Sequence, residues 1–421
     1  MSLLERKELK NPKPASLMSH LLKMENESGA VISHYLYDIN ADSAKQFKRE
    51  ALAGIKQLLT ENVYQPNLYE TVEDVAQELS LEIGKCPFAK PKNPKFHFID
   101  LFAGIGGFRV AMQKLGGQCV FSSEWDKNAK QTYAANFGEI PFGDITKAEI
   151  KKYIPKQFDV LCAGFPCQAF SIAGHRGGFS DTRGTLFFDV AEIIKKHKPT
   201  AIFLENVKGL RSHDKGRTLA TILSVLRNDL GYFVPDPQIM NAKHFGVPQN
   251  RERIYIVGFL NEADAHKFKY PAPLKKNPVF EDVKEESVVS AKYYLSTRYL
   301  ECLRKHKARH EGKGNGFGYM IINDNEVSNS VVCGGMGRER NLVLDKRIKD
   351  FTPQTHIMGT VNREGVRKMT PREWARLQGF PDKFVIPVAD ASAYKQFGNS
   401  VAVPAIQATA NMLLQAIGRI K

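Results

Sequence analysis

The chain has 421 residues, a mass of 47.3 kDa and 43% hydrophobic residues, which suits one large globular domain with additions. Its 60 Lys+Arg against 45 Asp+Glu give a net charge of +15, which favours a polyanionic partner, although many solvated surfaces are also basic. Six scattered cysteines without CxxC pairs argue against structural zinc and a disulfide framework. No apolar run approaches the ~18 residues of a membrane span, and the N-terminus is charged where a signal peptide is apolar. We therefore expect a cytoplasmic protein without membrane association.

The first 95 residues are expected to form a helical extension. Apolar residues recur at helical spacing across residues 44–59, and Thr71 with Asp74 is typical of the start of another helix. Three prolines between Cys86 and Pro94 indicate an extended linker. Residues 1–95 therefore read as an N-terminal helical extension with a proline-rich linker, and the sequence does not indicate their role.

From residue 96 onward, apolar runs of strand length alternate with helical segments. The clearest runs are Phe96–Phe102, Cys119–Ser122, Phe158–Gly164, Ala201–Val207 and Ile254–Phe259. This alternation predicts an α/β fold with a mostly parallel sheet and helices on both faces, in which ligands bind beyond the carboxyl ends of the strands. We expect this domain to occupy residues 96–270, with residues 393–421 returning to it, and a second, smaller domain to occupy residues 271–392.

Three successive strand ends carry residues suited to a nucleoside. The first ends in Phe102-Ala103-Gly104-Ile105-Gly106-Gly107, where glycines let backbone amides approach a ligand closely. At the second, Glu124 can accept from both ribose hydroxyls and Trp125 can stack on an adenine. At the third, Asp144, followed by Ile145, can accept from an adenine amino group. Each feature alone also suits a structural turn, but together they predict a nucleoside-bearing cofactor.

Three further segments carry reactive or charged side chains at strand ends. A thiol in the position of Cys167, behind Pro166, is ordinarily an apolar filler, but it could also act as a nucleophile. Glu205 suits either a helix N-cap or a protonated carboxyl that faces Cys167. Strand alternation places Arg251 and Arg253 on one side, and an exposed charged edge is the alternative reading for both.

The motifs FAGIGG, EW, GDI, FPCQAFS, LENV, QNRER and FGNSV occur in this order. In order and spacing they resemble the motif set of the DNA cytosine-5 methyltransferases, in particular the bacterial modification enzymes of restriction systems. The resemblance covers about residues 96–270 and 365–421. It implies the Rossmann-like fold of a class I S-adenosylmethionine-dependent methyltransferase, together with a smaller target-recognition domain.

The resemblance also implies a reaction. A methyl group would pass from S-adenosylmethionine to C5 of a cytosine flipped out of duplex DNA, which would protect that DNA from a cognate restriction enzyme acting on the same site. Cys167 would attack C6 of the base and Glu205 would hold N3 and the amino group. Arg253, with Arg251 beside it, would anchor the O2 side. A thiolate suits this role because an unactivated aromatic carbon needs a soft, strong nucleophile.

Carried over residue by residue, the resemblance assigns two more sets. The cofactor-binding set is Phe102, Gly104, Ile105, Gly106, Glu124, Trp125, Asp144, Ile145, Pro166, Leu186, Asn399, Ser400 and Val401. The DNA-binding set is Gln168, Ser171, Arg338 and Arg340. The two arginines lie in the segment 271–364, which corresponds to the family's variable target-recognition region; reading a guanine and contacting a phosphate suit them equally. The expected partner is double-stranded DNA, bound by a monomer at the nucleoid, with no metal.

Three other interpretations remain open from the sequence. The tRNA-methylating branch of the same family shares the catalytic motifs, but it typically carries a Cys-Phe-Thr signature that this sequence lacks, and it has a shorter recognition region. A non-catalytic DNA-binding protein would not require Cys167, Glu205 and Arg253. A nicotinamide dehydrogenase would explain the glycines and Glu124 but not Pro166-Cys167 or the basic charge.

Overall fold

The computed structural model describes residues 14–61, 71–166, 186–275, 278–314, 318–334, 336–352 and 359–421. Its helices are α1 Pro14–Leu21, α2 Ser28–Tyr37, α3 Lys48–Thr60, α4 Val72–Ile83, α5 Gly107–Lys114, α6 Lys127–Phe137, α7 Ala148–Lys151, α8 Leu186–His197, α9 Arg217–Ser224, α10 Glu262–Lys267, α11 Thr297–Glu311, α12 Pro371–Leu377, α13 Asp390–Asn399 and α14 Val403–Ala416. Its strands are β1 Phe96–Leu101, β2 Gly117–Ser123, β3 Val160–Gly164, β4 Ala201–Val207, β5 Gln238–Asn241, β6 Gln249–Asn250, β7 Glu252–Phe259, β8 Ile321–Ile322, β9 Ser328–Asn329, β10 Leu342–Leu344 and β11 Val366–Lys368.

The main sheet has six strands in the order β2-β1-β3-β4-β7-β5. The first four are parallel, which confirms the predicted α/β fold, but β7 runs antiparallel to both β4 and β5. The strand predicted at Ile254–Phe259 is therefore the antiparallel member of this mostly parallel sheet. A short connection from β5 through β6 reverses the chain, and antiparallel neighbours can be joined in this way. As a result the start of β7, with Arg253 paired to Val207, lies at the carboxyl edge of β4.

Side-chain alternation along β1 divides the core between the two faces of the sheet. Phe96 and Phe98 pack on the face covered by α5 and α14, whereas Ile99 and Leu101 pack on the opposite face. That second face is covered by α8 and α9 and also by the N-terminal helices. The N-terminal side chains buried in this second cluster include Leu36, Ile55 and Leu79. Helices α1 to α4 therefore share the core of the main sheet.

Local sequence signals explain several of the helices. Helix α3 begins within the segment predicted from residues 44–59, and Thr71 caps α4 by accepting from the amide of Asp74 at 3.2 Å. Helix α12 begins with a capping box formed by Thr370 and Glu373. Helix α14 lies within residues 393–421, the segment expected to return to the first domain.

The second unit has small cores of its own. Strands β8, β10 and β11 form a three-stranded sheet, and α11 packs Leu300 and Leu303 against Leu342 and Val366. Ile322 and Val343 of this unit, like Trp374 of α12, also belong to the core cluster that contains Phe98 of β1. We name residues 271–392 the recognition unit.

Candidate active site

A cavity of about 730 Å³ lies at the carboxyl edge of the main sheet, where β1, β2, β3 and β4 end. It brings together most of the residues predicted from the sequence, which are Phe102, Gly104, Ile105, Glu124, Trp125, Asp144, Ile145, Pro166, Leu186, Glu205, Arg251, Arg253, Asn399 and Ser400. A volume of this size is ordinary for a small-molecule or cofactor site. The convergence of segments so far apart in the chain follows from the parallel strands, whose carboxyl ends meet at one edge.

Two predicted residues stand behind the cavity wall. Gly106 has a φ of 85°, and a Cβ on it would lie 2.3 Å from Cε2 of Phe137, so this glycine allows α5 to pack on α6. Val401 is buried, and a Cβ on Gly107 would lie 2.7 Å from its Cγ2. Neither residue lines the cavity, so both support its wall from behind.

The remaining predicted residues lie elsewhere. Cys167, Gln168 and Ser171 fall outside the described residues. Arg338 and Arg340 are exposed on the recognition unit, away from the cavity, with the Arg338 guanidinium over the ring of Tyr394 at 5.5 Å.

The turn after β1 has an unusual backbone. Phe102 and Gly104 both have a φ of 55°, in the left-handed region. For a bulky residue such as Phe102 this conformation is costly and is typical of functional sites. No atom lies within 4 Å of the place where a Cβ on Gly104 would stand, so the Gly104 backbone borders open space in the cavity. The turn therefore presents backbone rather than side chain to whatever fills the cavity.

Glu124 joins this turn to the end of β2. Its Oε2 accepts from the amide of Gly104 and its Oε1 accepts from the amide of Asp126, both at 2.8 Å. Burial raises the pKa of Glu124, while these amide bonds act in the opposite direction. The neighbouring Trp125 leaves 80% of its surface exposed, which is rare for an indole that has no ligand to cover. A fixed carboxylate and an open aromatic ring thus stand side by side.

Asp144 follows a strand-like stretch in which Phe142 pairs with Ser123 at the end of β2. Its Oδ1 accepts from the Thr146 amide at 3.0 Å and from the Thr146 hydroxyl at 2.8 Å. Its Oδ2 accepts no hydrogen bond from the described residues, and Asp144 lines the cavity. The cavity wall therefore offers a second oriented carboxylate, at the same edge of the sheet as that of Glu124.

Glu205 lies inside β4, paired with Gly164 on one side and Tyr255 on the other. This position in a strand excludes the helix N-cap interpretation. The side chain is 8% exposed, and its Oε1 lies 3.2 Å from Nε of Arg253. Burial raises the pKa of Glu205, and the charges of Arg253 and Arg251 oppose that rise. The carboxyl group therefore retains its proton to a higher pH than an exposed glutamate.

The two predicted arginines have different surroundings. Arg251 precedes β7 and is 3% exposed. Its Nη1 donates to Val331 O at 2.8 Å, and its Nη2 donates to Gly398 O at 3.2 Å and Ser400 O at 2.6 Å. Burial, followed by the nearby charge of Arg253, lowers the pKa of Arg251 to about 9. Arg253 instead pairs with Glu205, so of the two arginines only Arg253 contacts the carboxyl group at the cavity.

Residues that the sequence interpretation did not single out also build the site. Asn206 is 2% exposed; its Nδ2 donates to Phe165 O at 2.9 Å, and its Oδ1 accepts from the amide of Val207 at 2.8 Å. It fixes the backbone two residues before Cys167. At the rim, Lys395 pairs with Asp126 at 2.8 Å. The motif letters LENV contained Asn206, but nothing in the sequence indicated the carbonyl that it binds.

The described residues contain neither a candidate metal site nor a helix that could span a membrane. No group of three or more His, Cys, Asp and Glu side chains within them is arranged to hold a metal ion. In the same part of the chain, every helix is too short or too polar to cross a membrane.

Comparison with known proteins gives consistent results. Residues 96–415 match the family described as C-5 cytosine-specific DNA methylase. The chain is 68% identical to the type II methyltransferase M.HpaII of Haemophilus parainfluenzae over 83% of this chain and 97% of that protein. It is 47% identical to M.DsaV of Dactylococcopsis salina over 76% and 86%. The crystal structure of S. pombe Dnmt2 methyltransferase superposes with a TM-score of 0.57 and 17% identity, covering 77% of this chain and 99% of that one, which shows a shared fold.

Proposed function

The chain belongs to the C-5 cytosine-specific DNA methylases, and from this premise we propose how its cavity carries out cytosine methylation in DNA. We propose S-adenosylmethionine as the methyl donor, Cys167 as the nucleophile, and protection from a cognate restriction enzyme as the role. The observation that carries the proposal is the convergence of Glu124, Asp144 and the Glu205–Arg253 pair on one cavity.

The cavity fits S-adenosylmethionine at its nucleoside end. Glu124 is fixed by two backbone amides and would accept from the ribose hydroxyls, while Asp144 would accept from the adenine amino group. The exposed ring of Trp125 offers a stacking surface. Open space beside Gly104 leaves room for the ligand to approach the backbone. When bound, S-adenosylmethionine supplies an electrophilic methyl group on its sulfonium sulfur.

The chain's own residues then activate the base. The sulfur of Cys167 forms a bond to C6 of a flipped cytosine, while Glu205 donates its proton toward N3 and Arg253 binds the O2 side. Electron density moves to C5, which becomes a nucleophilic carbon and would take the methyl group, with S-adenosylhomocysteine as the leaving group. Loss of the C5 proton to a base, with return of the N3 proton to Glu205, then breaks the C6–S bond and frees the Cys167 thiolate. The raised pKa of Glu205 supports its role as a proton donor.

For Arg251 we propose a different role from the one that the sequence suggested. Its guanidinium is occupied by carbonyl groups of the recognition unit and of the segment between α13 and α14. We therefore propose that Arg251 is a positioning residue, which holds Ser400 and the cavity wall in place, and that Arg253 alone contacts the base.

Selection of the target site is proposed for the recognition unit. Arg338 and Arg340 are exposed there and are proposed to contact DNA, together with Gln168 and Ser171 beside the nucleophile. An arginine that donates two hydrogen bonds to a guanine edge supplies specificity, whereas a phosphate contact supplies only affinity.

One experiment tests the substrate and the intermediate together. The protein is incubated with S-adenosylmethionine labelled in its methyl group and with either duplex DNA or tRNA; label in DNA alone is expected. A duplex containing 5-fluorocytosine should form a stable covalent adduct, because fluorine cannot leave C5 as a proton does. Label in tRNA, or the lack of an adduct with active protein, would overturn the proposal. Bisulfite mapping of DNA from cells that express the gene would give the target sequence.

A second experiment tests the cofactor assignment. Glu124→Ala and Asp144→Ala should each weaken S-adenosylmethionine binding by about 1–3 kcal/mol, the usual cost of removing a partner from a buried polar group. Asp236→Ala serves as a control, because the Asp236 side chain is 97% exposed and lies outside the cavity. Unaltered binding in calorimetry of both cavity variants would place the nucleoside elsewhere.

A further inference from the structure

Part of the cavity wall is supported by residues outside the matched family region, which begins at residue 96. Two segments are involved: residues 26–34, named here the clamp, contain the turn before α2 and its first half, and residues 139–144, named the cofactor loop, end at Asp144. We propose that the clamp positions the cofactor loop, and that Glu27 is a positioning residue for the adenine end of the cofactor. The inference rests on the proposed cofactor.

The clamp contacts the cofactor loop at three points along its length. The amide of Gly143 donates to Oε2 of Glu27 at 3.0 Å, and the amide of Ile140 donates to Oγ of Ser33 at 2.9 Å. Between helix and loop, Nε2 of His34 lies 3.2 Å from Oε1 of Glu139. Two of these three contacts join a clamp side chain to the backbone of the loop, which fixes the path of the loop.

Glu27 makes the contact nearest the cavity. It binds the residue directly before Asp144, and Gly143 itself lines the cavity. A Cβ on Gly143 would lie 2.6 Å from Oε1 of Glu27, so the glycine at this position admits the carboxylate. Lys130 of α6 lies on the other side, with its Nζ 3.8 Å from Oε2 of Glu27. The Glu27 carboxylate is therefore enclosed between the cofactor loop and α6.

The backbone of the clamp is held in an unfavourable conformation to reach this contact. Asn26 and Glu27 have φ values of 53° and 63°, in the left-handed region that residues other than glycine rarely adopt. Glu27 occupies the N-cap of α2, but its carboxylate binds the loop instead of the helix amides. Such conformations persist where surrounding contacts determine them, and they cluster at functional sites.

A buried network links the clamp to the turn after β1 as well. Glu139 accepts from Arg109 of α5, and Arg109 also donates to the Tyr133 hydroxyl at 3.0 Å. Nδ1 of His34 donates to Ala30 O at 2.9 Å, which leaves its Nε2 facing Oε1 of Glu139 at 3.2 Å. Helix α5 begins directly after the glycine turn at the cavity. The clamp therefore connects both nucleoside-binding segments from behind.

These contacts predict a specific functional effect. Without the Glu27 carboxylate, the Gly143 amide is free to turn and Asp144 samples more orientations. Cofactor binding must then order the loop, and this entropic cost lowers the affinity while leaving the chemical step unchanged. We expect Glu27→Ala to weaken S-adenosylmethionine binding roughly 5- to 20-fold, as suits loss of one charge-assisted hydrogen bond, and to leave kcat at saturating cofactor within about twofold.

The test uses the full chain with three variants at one position. Glu27→Gln retains an acceptor oxygen at the same reach and should restore near-native affinity. Glu27→Asp retains the charge and tolerates the left-handed backbone, but it withdraws the carboxylate by one methylene and should resemble Glu27→Ala. Glu61→Ala is the control, since the Glu61 side chain accepts only from Gln57 among the described residues. Binding is measured by calorimetry with S-adenosylhomocysteine, and hydrogen exchange at the Gly143 amide should rise in the weakened variants.

The outcomes separate the two proposals. If Glu27→Ala and Glu27→Asp bind with native affinity, the clamp has no positioning role. If Glu27→Gln is as weak as Glu27→Ala, charge pairing with Lys130 is responsible and the hydrogen-bond account is wrong. If the alanine variant does not fold, the Gln and Asp variants decide between these results. Failure of the cofactor proposal looks different, because the unsubstituted protein would then bind neither ligand.

Discussion

The cavity edge and the recognition unit hold their functional side chains in opposite ways. At the edge, β1 to β4 have five to seven residues each, and Glu124, Glu205 and Asn206 are nine-tenths buried and bound to the backbone or to charged partners. In the recognition unit the strands have two or three residues, and Arg338 and Arg340 are exposed. Bond-making chemistry requires groups fixed within a fraction of an ångström, whereas base reading tolerates side chains that adapt to DNA.

The largest expected effect concerns the cavity edge, where the functional side chains are held in fixed positions. Cys167→Ser should lower methyl transfer by more than about 10⁴-fold, because the nucleophile of a covalent mechanism has no substitute in the site. Cofactor affinity should be unchanged, since the thiolate acts on the base. Cys302→Ser is the matched control, because Cys302 is exposed on α11. The measurements are single-turnover rates on duplex DNA and calorimetry with S-adenosylhomocysteine; near-native turnover of Cys167→Ser would rule out the nucleophile.

The second effect concerns the proton on Glu205. Glu205→Gln should lower kcat by roughly 10²–10⁴-fold, as expected for loss of a general acid. The native rate should fall on the alkaline side, because the active form is the protonated one and is lost as pH rises through the folded pKa. Burial raises the pKa of Glu205, so this fall should occur at a higher pH than for an exposed glutamate. The glutamine variant should lack that limb in a pH–rate profile; an unchanged limb would assign it to another group.

The third effect separates the two arginines. Arg251→Met should lower the free energy of unfolding by about 3 kcal/mol, since several buried carbonyls lose their donor. Arg253→Met should destabilise less, because it removes one ion-pair contact with Glu205 rather than several contacts with buried carbonyls, yet it should reduce kcat more strongly. Urea unfolding and kcat are measured on both. Equal losses of stability would contradict the division into a positioning arginine and a base-binding arginine.

The smallest expected effect concerns the exposed arginines of the recognition unit. Changing Arg338 or Arg340 to Ala should cost about 1–3 kcal/mol on the target duplex and little on a scrambled one, if that side chain reads a guanine. Neutralising Lys305 and Arg309 of α11 should instead weaken both duplexes alike and reduce the salt slope by about two. Arg304 of the same helix is unsuitable for this test because it pairs with Glu364. Equal losses on both duplexes for Arg338→Ala and Arg340→Ala would make those arginines phosphate contacts.

The contrast between the cavity edge and the recognition unit also explains which features the sequence could predict. Residues at the ends of β1, β2 and β4 were identifiable because an apolar run marks each strand and a polar residue ends it, so Glu124 and Glu205 were found at the cavity. The alternation rule placed Arg251 beside Arg253, but it could not indicate that the carbonyls of Val331 and Ser400 occupy only the first of them. Partners distant in the chain leave no local pattern.

Two features of the fold could not be predicted, because they also depend on contacts between distant parts of the chain. The direction of β7 depends on the path from β5 through β6, and the apolar letters of Ile254–Phe259 are the same in either direction. Helical spacing revealed α3 and α4 within the first 95 residues, but it did not reveal which surface they cover. Only the shared core with β1 shows that they belong to the main sheet.

The anchor at Arg251 has a consequence for how such enzymes diversify. Three of its four acceptors, Val331 O, Gly398 O and Ser400 O, are main-chain carbonyls, which every amino acid possesses. The fourth, the Ser330 hydroxyl, is the longest contact at 3.3 Å. Side-chain substitutions in the recognition unit would therefore leave the Val331 carbonyl available to Arg251. This contact requires a preserved backbone path through residue 331 and not a preserved sequence.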